Sequence, residues 1–240
     1  MNDETQIRPA QQPRATSVWQ TLIDTLASPR EAFNSIAASP RALFPLLLVL
    51  ASALAATAYY FSVLDISWWI DDTLREADIT GDELEAAREA MGQMGRGMVF
   101  TMGALATVFF TALMILIQSV YISLAGAIMG SDYKFKHWFA LVSWSSAPYM
   151  IGSLAMIVNV SLHPNGQLSS YSLDPTNLAA LGLSIDAYEP IMRAITLPML
   201  WSLALVVVGF AQWQSVSVAK SAAIMLAPYL IVLAISVSMV

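Results

Sequence analysis

Few side chains in this sequence could do chemistry, and they lie between its apolar stretches. Nine Asp and Glu residues crowd positions 65–89, there are two histidines, His137 and His163, and no cysteine is present. Carboxylates at this density could bind calcium or magnesium, but the Asp-x-Asp-x-Asp-Gly spacing of a calcium loop is absent. Without cysteine, thiolate metal sites, disulfides and cysteine nucleophiles are excluded. We therefore predict no metal and no cofactor.

The sequence also lacks the motifs of common catalytic sites. It contains no nucleophile elbow, phosphate-binding loop, HExxH or GxGxxG pattern in the structural context that each one needs. No pair of acid and base side chains shares a depth in the predicted membrane topology, which places His137 and His163 on opposite sides. Catalytic residues are accordingly not expected, and the protein is predicted not to be an enzyme.

Long apolar stretches must position these groups. The chain has 240 residues, of which 57% are hydrophobic and 12% charged, against about 25% charged in a soluble domain. A membrane-spanning helix needs about 20 mainly apolar residues. Five stretches meet that length, and they predict an all-α polytopic membrane bundle; the spans are 43–64, 98–129, 139–160, 191–212 and 221–240.

The charged residues alternate between the two sides of these spans. Seven Lys and Arg residues fall on the side of the N-terminal arm and four on the other side, whereas twelve Asp and Glu lie in the loops 65–97 and 161–190. Lys and Arg are enriched in cytoplasmic loops. We therefore predict a cytoplasmic N-terminus, an external C-terminus and an external acidic loop at 65–97.

The N-terminal arm carries one predicted membrane anchor. Residues 1–16 are polar and predicted to be disordered, and no cleavable signal peptide is expected. Apolar residues at helical spacing and two Ser-Pro pairs predict helices at 17–27, 29–38 and 40–64. The helices of 17–39 are predicted to lie in the headgroup layer through Trp19, Phe33 and Ile36. The alternative is that this face packs on the spans or on a second protomer.

Three further features mark the loops. Lys134 and Lys136 lie in a basic-aromatic turn, Lys134-Phe135-Lys136-His137-Trp138, that anionic headgroups would attract. The acidic 65–97 loop favours a helical hairpin or cap, with Trp68 and Trp69 in an aromatic belt; a weak cation site is the alternative. Asp174 before Pro175 predicts the N-cap of a short apolar helix through Leu178.

The spans carry candidate packing residues. Gly126 and Gly130 form a GxxxG motif that permits close helix approach. Pro148, Pro198 and Pro228 each remove a backbone hydrogen bond and are expected to kink spans three, four and five, with neighbouring helices satisfying the freed carbonyl groups. Gln118 is deep in span two, where an interhelical hydrogen bond is the favoured role.

Several of these features occur together in a known family. They are Trp19…Leu22-Ile23…Ser28-Pro29…Phe33…Ile36…Ser39-Pro40, Gly130…Lys136…Ala140…Trp144…Ala147-Pro148, Asp174-Pro175…Asn177-Leu178 and Trp201…Gly209…Ser215…Lys220. In this order, the chain resembles the Yip-domain family over residues 19–236, and its motifs look closer to the bacterial branch. The resemblance implies a five-span bundle with a cytoplasmic N-terminus that often forms oligomers, and it implies no catalytic residues.

These observations support two hypotheses about function. The first is a non-enzymatic protein of the bacterial inner membrane that organises lipids or partner proteins. Its predicted partners are membrane lipids, with a second copy of the chain or other membrane proteins as further candidates, and no nucleic acid. The second is a transporter or channel component for lipids or small solutes, with a cavity near Gln118 and the three prolines.

Overall fold

The structure is a helical bundle. A computed structural model describes residues 17–77, 79–183 and 185–238; the predicted disordered tail, 1–16, lies outside them. The structure is 79% helix, and within the described residues β pairing is limited to the isolated bridge between Asn177 and Thr196. The predicted all-α membrane bundle is confirmed. The helices are α1 Val18–Ala27, α2 Pro29–Ala38, α3 Leu43–Val63, α4 Ile66–Glu76, α5 Asp82–Gly92, α6 Arg96–Ile128, α7 Phe135–Ser145, α8 Tyr149–Ser161, α9 Glu189–Ala194, α10 Leu197–Trp213 and α11 Val218–Ser238.

Among the described residues, four helical segments are long and apolar enough to cross a membrane. They are α3, α6, the pair α7–α8 and α11. The fifth predicted span corresponds to α10, which has 17 residues. At 1.5 Å per residue this helix is about 25 Å long, somewhat less than the hydrocarbon thickness of about 30 Å. A count of five spans is therefore plausible, provided that another part of the chain completes the fifth crossing.

The loops gather at two opposite ends of the bundle. At the arm end, which comprises α1, α2 and the α6–α7 and α10–α11 turns, Trp213 Nε1 donates to the carbonyl of Phe33 at 3.1 Å. At the acidic end, which comprises α4, α5 and residues 162–172, Asp65 N–H donates to the carbonyl of Asn165 at 3.1 Å. The bundle therefore separates the basic turns from the acidic helices, as the charge pattern requires.

The main hydrophobic core lies towards the arm end. Phe33 and Ile36 of α2 are 0% and 1% exposed, and they pack in one cluster with Trp138, Trp144 and Phe210. α2 is thus a structural part of the bundle, and this face packs on the spans, as the alternative interpretation of the arm proposed. Membrane anchoring by the arm stays a prediction, in which Phe33 and Ile36 would act only by holding α2 in place.

The three prolines have three different structural roles. Pro148 lies in the break between α7 and α8, and Pro228 lies inside α11. Pro198 does not interrupt a helix, because α10 begins one residue before it, so the predicted kink in span four is wrong. Proline is tolerated in the first turn of a helix, where the backbone N–H has no helical partner in any case.

The first span also begins later than its Ser-Pro pair predicted. α3 starts at Leu43, with Ala42 as its N-cap, and Arg41 N–H donates to the carbonyl of Ser39 in a short turn. This turn lets the chain pass from α2 to α3. The expected helix start at Pro40 is therefore wrong by three residues.

The acidic loop folds as a helical hairpin. α4 and α5 pack on each other, and Arg88 of α5 forms an ion pair with Asp71 of α4 at 2.9 Å. α5 has no buried residue, and its first turn holds Asp82, Glu83 and Glu85. These acids lie where the positive end of the helix dipole stabilises them.

Candidate functional site

The arm presents an apolar edge on α1. Ser17 caps this helix by accepting a hydrogen bond from Gln20 N–H at 3.1 Å. Its inner face buries Thr21, Leu22 and Thr25 against the bundle. The outer face exposes Trp19 at 59% and Ile23 at 58%. α1 is therefore amphipathic in the structure, and the described part of the chain leaves its apolar outer residues uncovered.

This edge lies level with the beginning of the first span. The ring of Trp19 meets the ring of Phe44 edge to face, with centroids 5.1 Å apart. Phe44 is the second residue of α3, so Trp19 lies where the span begins. Tryptophan is enriched at this level of membrane proteins, because its ring is apolar and its N–H is polar. Membrane contact by Trp19 remains a prediction that this position supports.

A cavity opens beside the aromatic core at the arm end. It has a volume of about 510 Å³, and we call it the arm-end cavity; its lining residues are Gly130, Ser131, Asp132, Tyr133, His137, Trp213 and Gln214. Two helix ends build it. α6 ends at Ile128, just before Gly130, whose φ of 77° is left-handed, and α10 ends at Trp213, just before Ser215, whose φ is 53°. A left-handed glycine is a common helix end, whereas serine adopts this conformation less readily.

Stacked aromatic rings form the inner wall of this cavity. The rings of Tyr133 and Trp213 stack with centroids 4.7 Å apart, and Trp138 lies 5.3 Å from Trp213. A β-carbon added at Gly126 would come within 2.7 Å of the Trp138 ring. The absence of a side chain at Gly126 thus lets α6 approach α7. Gly130, which follows the end of α6, has no described atom near its β-carbon position.

The predicted basic residues lie next to this cavity. Lys134 and Lys136 are exposed at the start of α7 and form no ion pair within the described residues. Lys134 N–H donates to Nδ1 of His137 at 3.2 Å, while His163 lies beyond α8 at the acidic end. The two histidines are therefore far apart, as expected.

A second unusual feature is a non-helical turn beside the middle of the spans. Asp174 accepts hydrogen bonds from the N–H of Thr176 at 2.8 Å and from its hydroxyl at 2.6 Å. Asn177 is 2% exposed and pairs with Thr196. The predicted short helix does not form here, because these side chains satisfy the backbone locally as an Asx turn does. We call residues 173–178 the membrane-depth turn.

Two contacts set the depth of this turn. Ser153 of α8 donates to Ser52, near the middle of α3, at 3.4 Å. A β-carbon on the neighbouring Gly152 would come within 3.9 Å of Asp174 Oδ2 and 3.1 Å of Pro198. Asp174 and the start of α10 therefore lie near the level of the α3 midpoint. If α10 crosses the membrane, this turn would complete the crossing.

The residues that follow the turn are exposed and apolar. Leu181, Leu183 and Ile185 are 48%, 59% and 59% exposed, as expected for residues that face lipid. The sequence predicts 161–190 as an external loop, whereas in the structure Asp174 lies beside Gly152, near the level of the α3 midpoint. The available signal was Pro198, since proline is accommodated in the first turn of a helix and not in its interior, so that an uninterrupted helix in the fourth apolar stretch had to begin close to this residue.

The acidic end has one carboxylate with a shifted pKa. Asp65 caps α4, and the N–H of Trp68 donates to its Oδ1 at 3.1 Å. This hydrogen bond is the main reason why the pKa of the Asp65 carboxyl lies below its usual value, and Gln167 and Arg96 add to the effect. Within the described residues, no group of three or more acids and histidines is arranged to hold a metal ion.

Together, these features define a class. The chain is an integral membrane protein built as a helical bundle, with a helical arm docked on one end and a non-helical turn among the spans.

The profile of the Yip1 domain matches residues 23–240, so the chain belongs to the Yip1 family. The Yip1 family is not known as a family of enzymes. No curated protein and no solved structure matches the chain.

Proposed function

We propose that this protein is a non-enzymatic organiser of the membrane in which it lies, and that it acts through the outer face of α1. The observation that carries this proposal is the exposure of Trp19 and Ile23 on a helix fixed at the start of the first span. Insertion of such an apolar edge between headgroups expands one leaflet and attracts lipids that tolerate the packing defect. Partner proteins or a second copy of the chain would use the same edge.

The proposed setting is the bacterial inner membrane, with the arm in the cytoplasm. The basic residues of the arm end, among them Arg30, Arg41, Lys134, Lys136 and Lys220, support this orientation through the enrichment of Lys and Arg on the cytoplasmic side. α1 would then contact the cytoplasmic leaflet, whose anionic lipids attract the same basic residues.

The test replaces the apolar edge and keeps the arm. Deleting 17–38 would remove Phe33 and Ile36 from the core and unfold the bundle. We therefore expect Trp19→Ser combined with Ile23→Ser to abolish vesicle remodelling and partner recovery by reconstituted protein. The matched control is Ile128→Ser with Val218→Ser, which removes two apolar side chains that are 87% and 49% exposed at the same end. If both double variants behave like the unmodified chain, the proposal is wrong.

The membrane-depth turn supports a second candidate, a transport or channel function. Non-helical backbone within a membrane occurs where it is buried in protein or lines a polar cavity, and transporters place binding sites at such broken helices. Asp174 beside the start of α10 has this arrangement. Solute or lipid flux in proteoliposomes should then fall in Asp174→Asn. Absence of flux above that of empty liposomes would exclude this candidate.

A further inference from the structure

We propose that residues 164–172 form a strap through which the acidic hairpin of α4 and α5 holds the membrane-depth turn in place. The strap lies between the end of α8 and this turn in the sequence, and hydrogen bonds join it to both the hairpin and the turn. When the strap leaves the hairpin, the turn loosens. This inference goes beyond the proposed action of α1, because the strap and the arm lie at opposite ends of the bundle.

Carboxylates at both ends of α4 bind the strap. Nε2 of Gln167 donates to Oδ2 of Asp65, the N-cap of α4, at 3.3 Å. The hydroxyl of Ser169 donates to Oε1 of Glu76, the last residue of α4, at 3.1 Å. The backbone adds a third contact, in which Asp65 N–H donates to the carbonyl of Asn165 at 3.1 Å. The strap is therefore held at both ends of the same helix.

The strap also packs closely on the end of α3. The hydroxyl of Tyr60 donates to the carbonyl of Leu168 at 2.9 Å, and Leu168 is 8% exposed in a cluster with Leu64. Gly166 has a left-handed φ of 60°, and a β-carbon at this position would come within 3.3 Å of the Leu64 backbone. Glycine adopts this conformation without strain and leaves room for the close approach. The docked strap is thus a specific packed structure.

The other end of the strap meets the membrane-depth turn at one amide side chain. Nδ2 of Asn159, on α8, donates to the carbonyl of Ser172 at 2.9 Å and to that of Leu173 at 3.1 Å. Ser172 is the last residue of the strap, and Leu173 is the first residue of the turn. A displacement of the strap therefore acts directly on the joint that this amide holds.

The turn is connected in the same way to the start of α10. Leu178 N–H donates to the carbonyl of Ile195 at 2.9 Å, and Leu197 N–H donates to that of Thr176 at 3.0 Å. α10 begins at Leu197. A contiguous set of contacts thus leads from the hairpin at the acidic end to a helix that starts near the level of the α3 midpoint. Energetic coupling along such contacts is shown only when a change at one end alters the other.

The experiment measures hydrogen–deuterium exchange by mass spectrometry on the full chain in lipid nanodiscs. The reporters are the amides of Leu178 and Leu197, whose hydrogen bonds hold the turn. Gln167→Ala combined with Ser169→Ala removes the side-chain contacts of the strap with α4 and leaves the hairpin sequence intact. We expect exchange at both reporters to accelerate about tenfold, since a hydrogen bond to a charged group contributes about that factor to the stability of a local structure.

Two further variants change the same set of contacts at other points. Gly166→Ala places a side chain against Leu64 and should accelerate both reporters by lifting the strap from α3. Its matched control is Gly130→Ala at the arm end, where φ is also left-handed and the β-carbon would meet no described atom. Asn159→Ala should accelerate the reporters and leave exchange within 164–170 unchanged.

The control for the double variant is Ser67→Ala with Gln93→Ala, which removes an exposed hydroxyl and an exposed amide from the hairpin and should leave both reporters unchanged. Faster exchange within the strap alone, with unchanged reporters, would show that the strap is only a local loop and would overturn the proposal. Equal acceleration in either control would also overturn it. If Gly166→Ala does not fold, the double variant decides the question, because Gln167 and Ser169 are not buried.

Discussion

At the scale of single residues, three tryptophans tie the helices of the arm end together. The indole N–H of Trp144 donates to the carbonyl of Arg41 at 2.9 Å, that of Trp213 to Phe33 at 3.1 Å and that of Trp138 to Tyr133 at 3.3 Å. Each acceptor is a backbone group outside the helix of its donor. Burying these large rings is favourable because each polar N–H also finds a partner.

Asp65 should make the start of α4 sensitive to acid. Its folded-state pKa lies below the ordinary value because Trp68 N–H donates to the carboxylate. A lowered pKa stabilises the fold above the unfolded-state value of about 3.9, and this contribution is lost as pH falls through the folded-state pKa. We expect the difference in thermal unfolding temperature between the unmodified chain and Asp65→Asn to shrink as the pH is lowered from 7 to 3.

The replacement by asparagine is chosen to isolate the charge. Asparagine caps a helix about as well as aspartate does, so the hydrogen bond from Trp68 N–H survives and only its charged acceptor is lost. Glu85→Gln, on the exposed face of α5, controls for removing one acid from the same hairpin. A difference that stays constant over this pH range would show that the Asp65 charge does not stabilise α4.

The sequence could indicate which residues form structural contacts, but it could not indicate their partners. Gln118 was predicted to make an interhelical hydrogen bond, and this is confirmed by its donation to the hydroxyl of Tyr229 at 3.0 Å. The acceptor was not predictable, because the partner lies 111 positions away. Whether the Phe33 side chain faces the membrane or the protein core also depends on where α2 packs, and the local spacing of apolar residues does not contain that information.

At the scale of elements, α11 shows how a membrane helix tolerates an internal proline. Pro228 has no N–H, so the carbonyl of Ile224, four residues before it, loses its helical donor. The hydroxyl of Tyr121 on α6 donates to this carbonyl at 2.6 Å. The contact therefore satisfies the freed group and attaches α11 to α6.

This pairing predicts a dependence between two substitutions. Tyr121→Phe should destabilise the protein by about 1 kcal/mol, because it leaves the Ile224 carbonyl without a donor in an apolar environment. In a Pro228→Ala background the new backbone N–H can donate to Ile224, and the same Tyr121→Phe change should then cost much less. Unfolding free energies of the four proteins, measured in detergent, give the coupling between the two positions.

Tyr229→Phe serves as a matched control, since it removes a neighbouring hydroxyl that accepts from Gln118 and does not contact Ile224. Its cost should be the same whether Pro228 is kept or replaced by alanine. If Tyr121→Phe is equally costly in both backgrounds, the hydroxyl does not compensate for the proline.

Helix limits were predictable where the signal was local. α2 begins at Pro29, as the Ser28-Pro29 pair predicted, and α4 and α5 form the predicted hairpin. The start of α10 was missed because apolar composition continues through residues 191–196, while pairing of Thr196 with Asn177 interrupts the helix. That pairing is tertiary, and a scan for apolar stretches cannot detect it.

At the scale of the whole molecule, the charged residues separate to the two ends of the bundle, and the 173–196 segment lies between those ends. Five crossings would put the arm and the end of α11 on opposite sides of the membrane, and the acids of α4 and α5 collect away from the basic turns. The segment from 173 to 196 belongs to neither end, because Asp174 lies beside Gly152 near the level of the α3 midpoint. The membrane-depth turn is thus held inside the protein, with apolar residues on its outer side.

The absence of native cysteine allows a direct test with single cysteines and a membrane-impermeant maleimide on intact spheroplasts. We expect Ala86→Cys, on α5, to be labelled from outside, and Ala219→Cys, at the start of α11, to be labelled only after permeabilisation. Leu183→Cys should resist the reagent in both conditions, although Leu183 is 59% exposed, because a thiol in hydrocarbon does not ionise and meets no aqueous reagent. Detergent solubilisation should then expose it.

Each position tests a different part of the topology. Labelling of Ala219→Cys in place of Ala86→Cys would invert the proposed orientation and leave the fold unchanged. Rapid labelling of Leu183→Cys from outside would place the 173–196 segment in water. The fourth crossing would then have to be made by α10 alone. A helix of about 25 Å would meet that requirement only by thinning the surrounding bilayer, so this single cysteine distinguishes a membrane-depth turn from a short span.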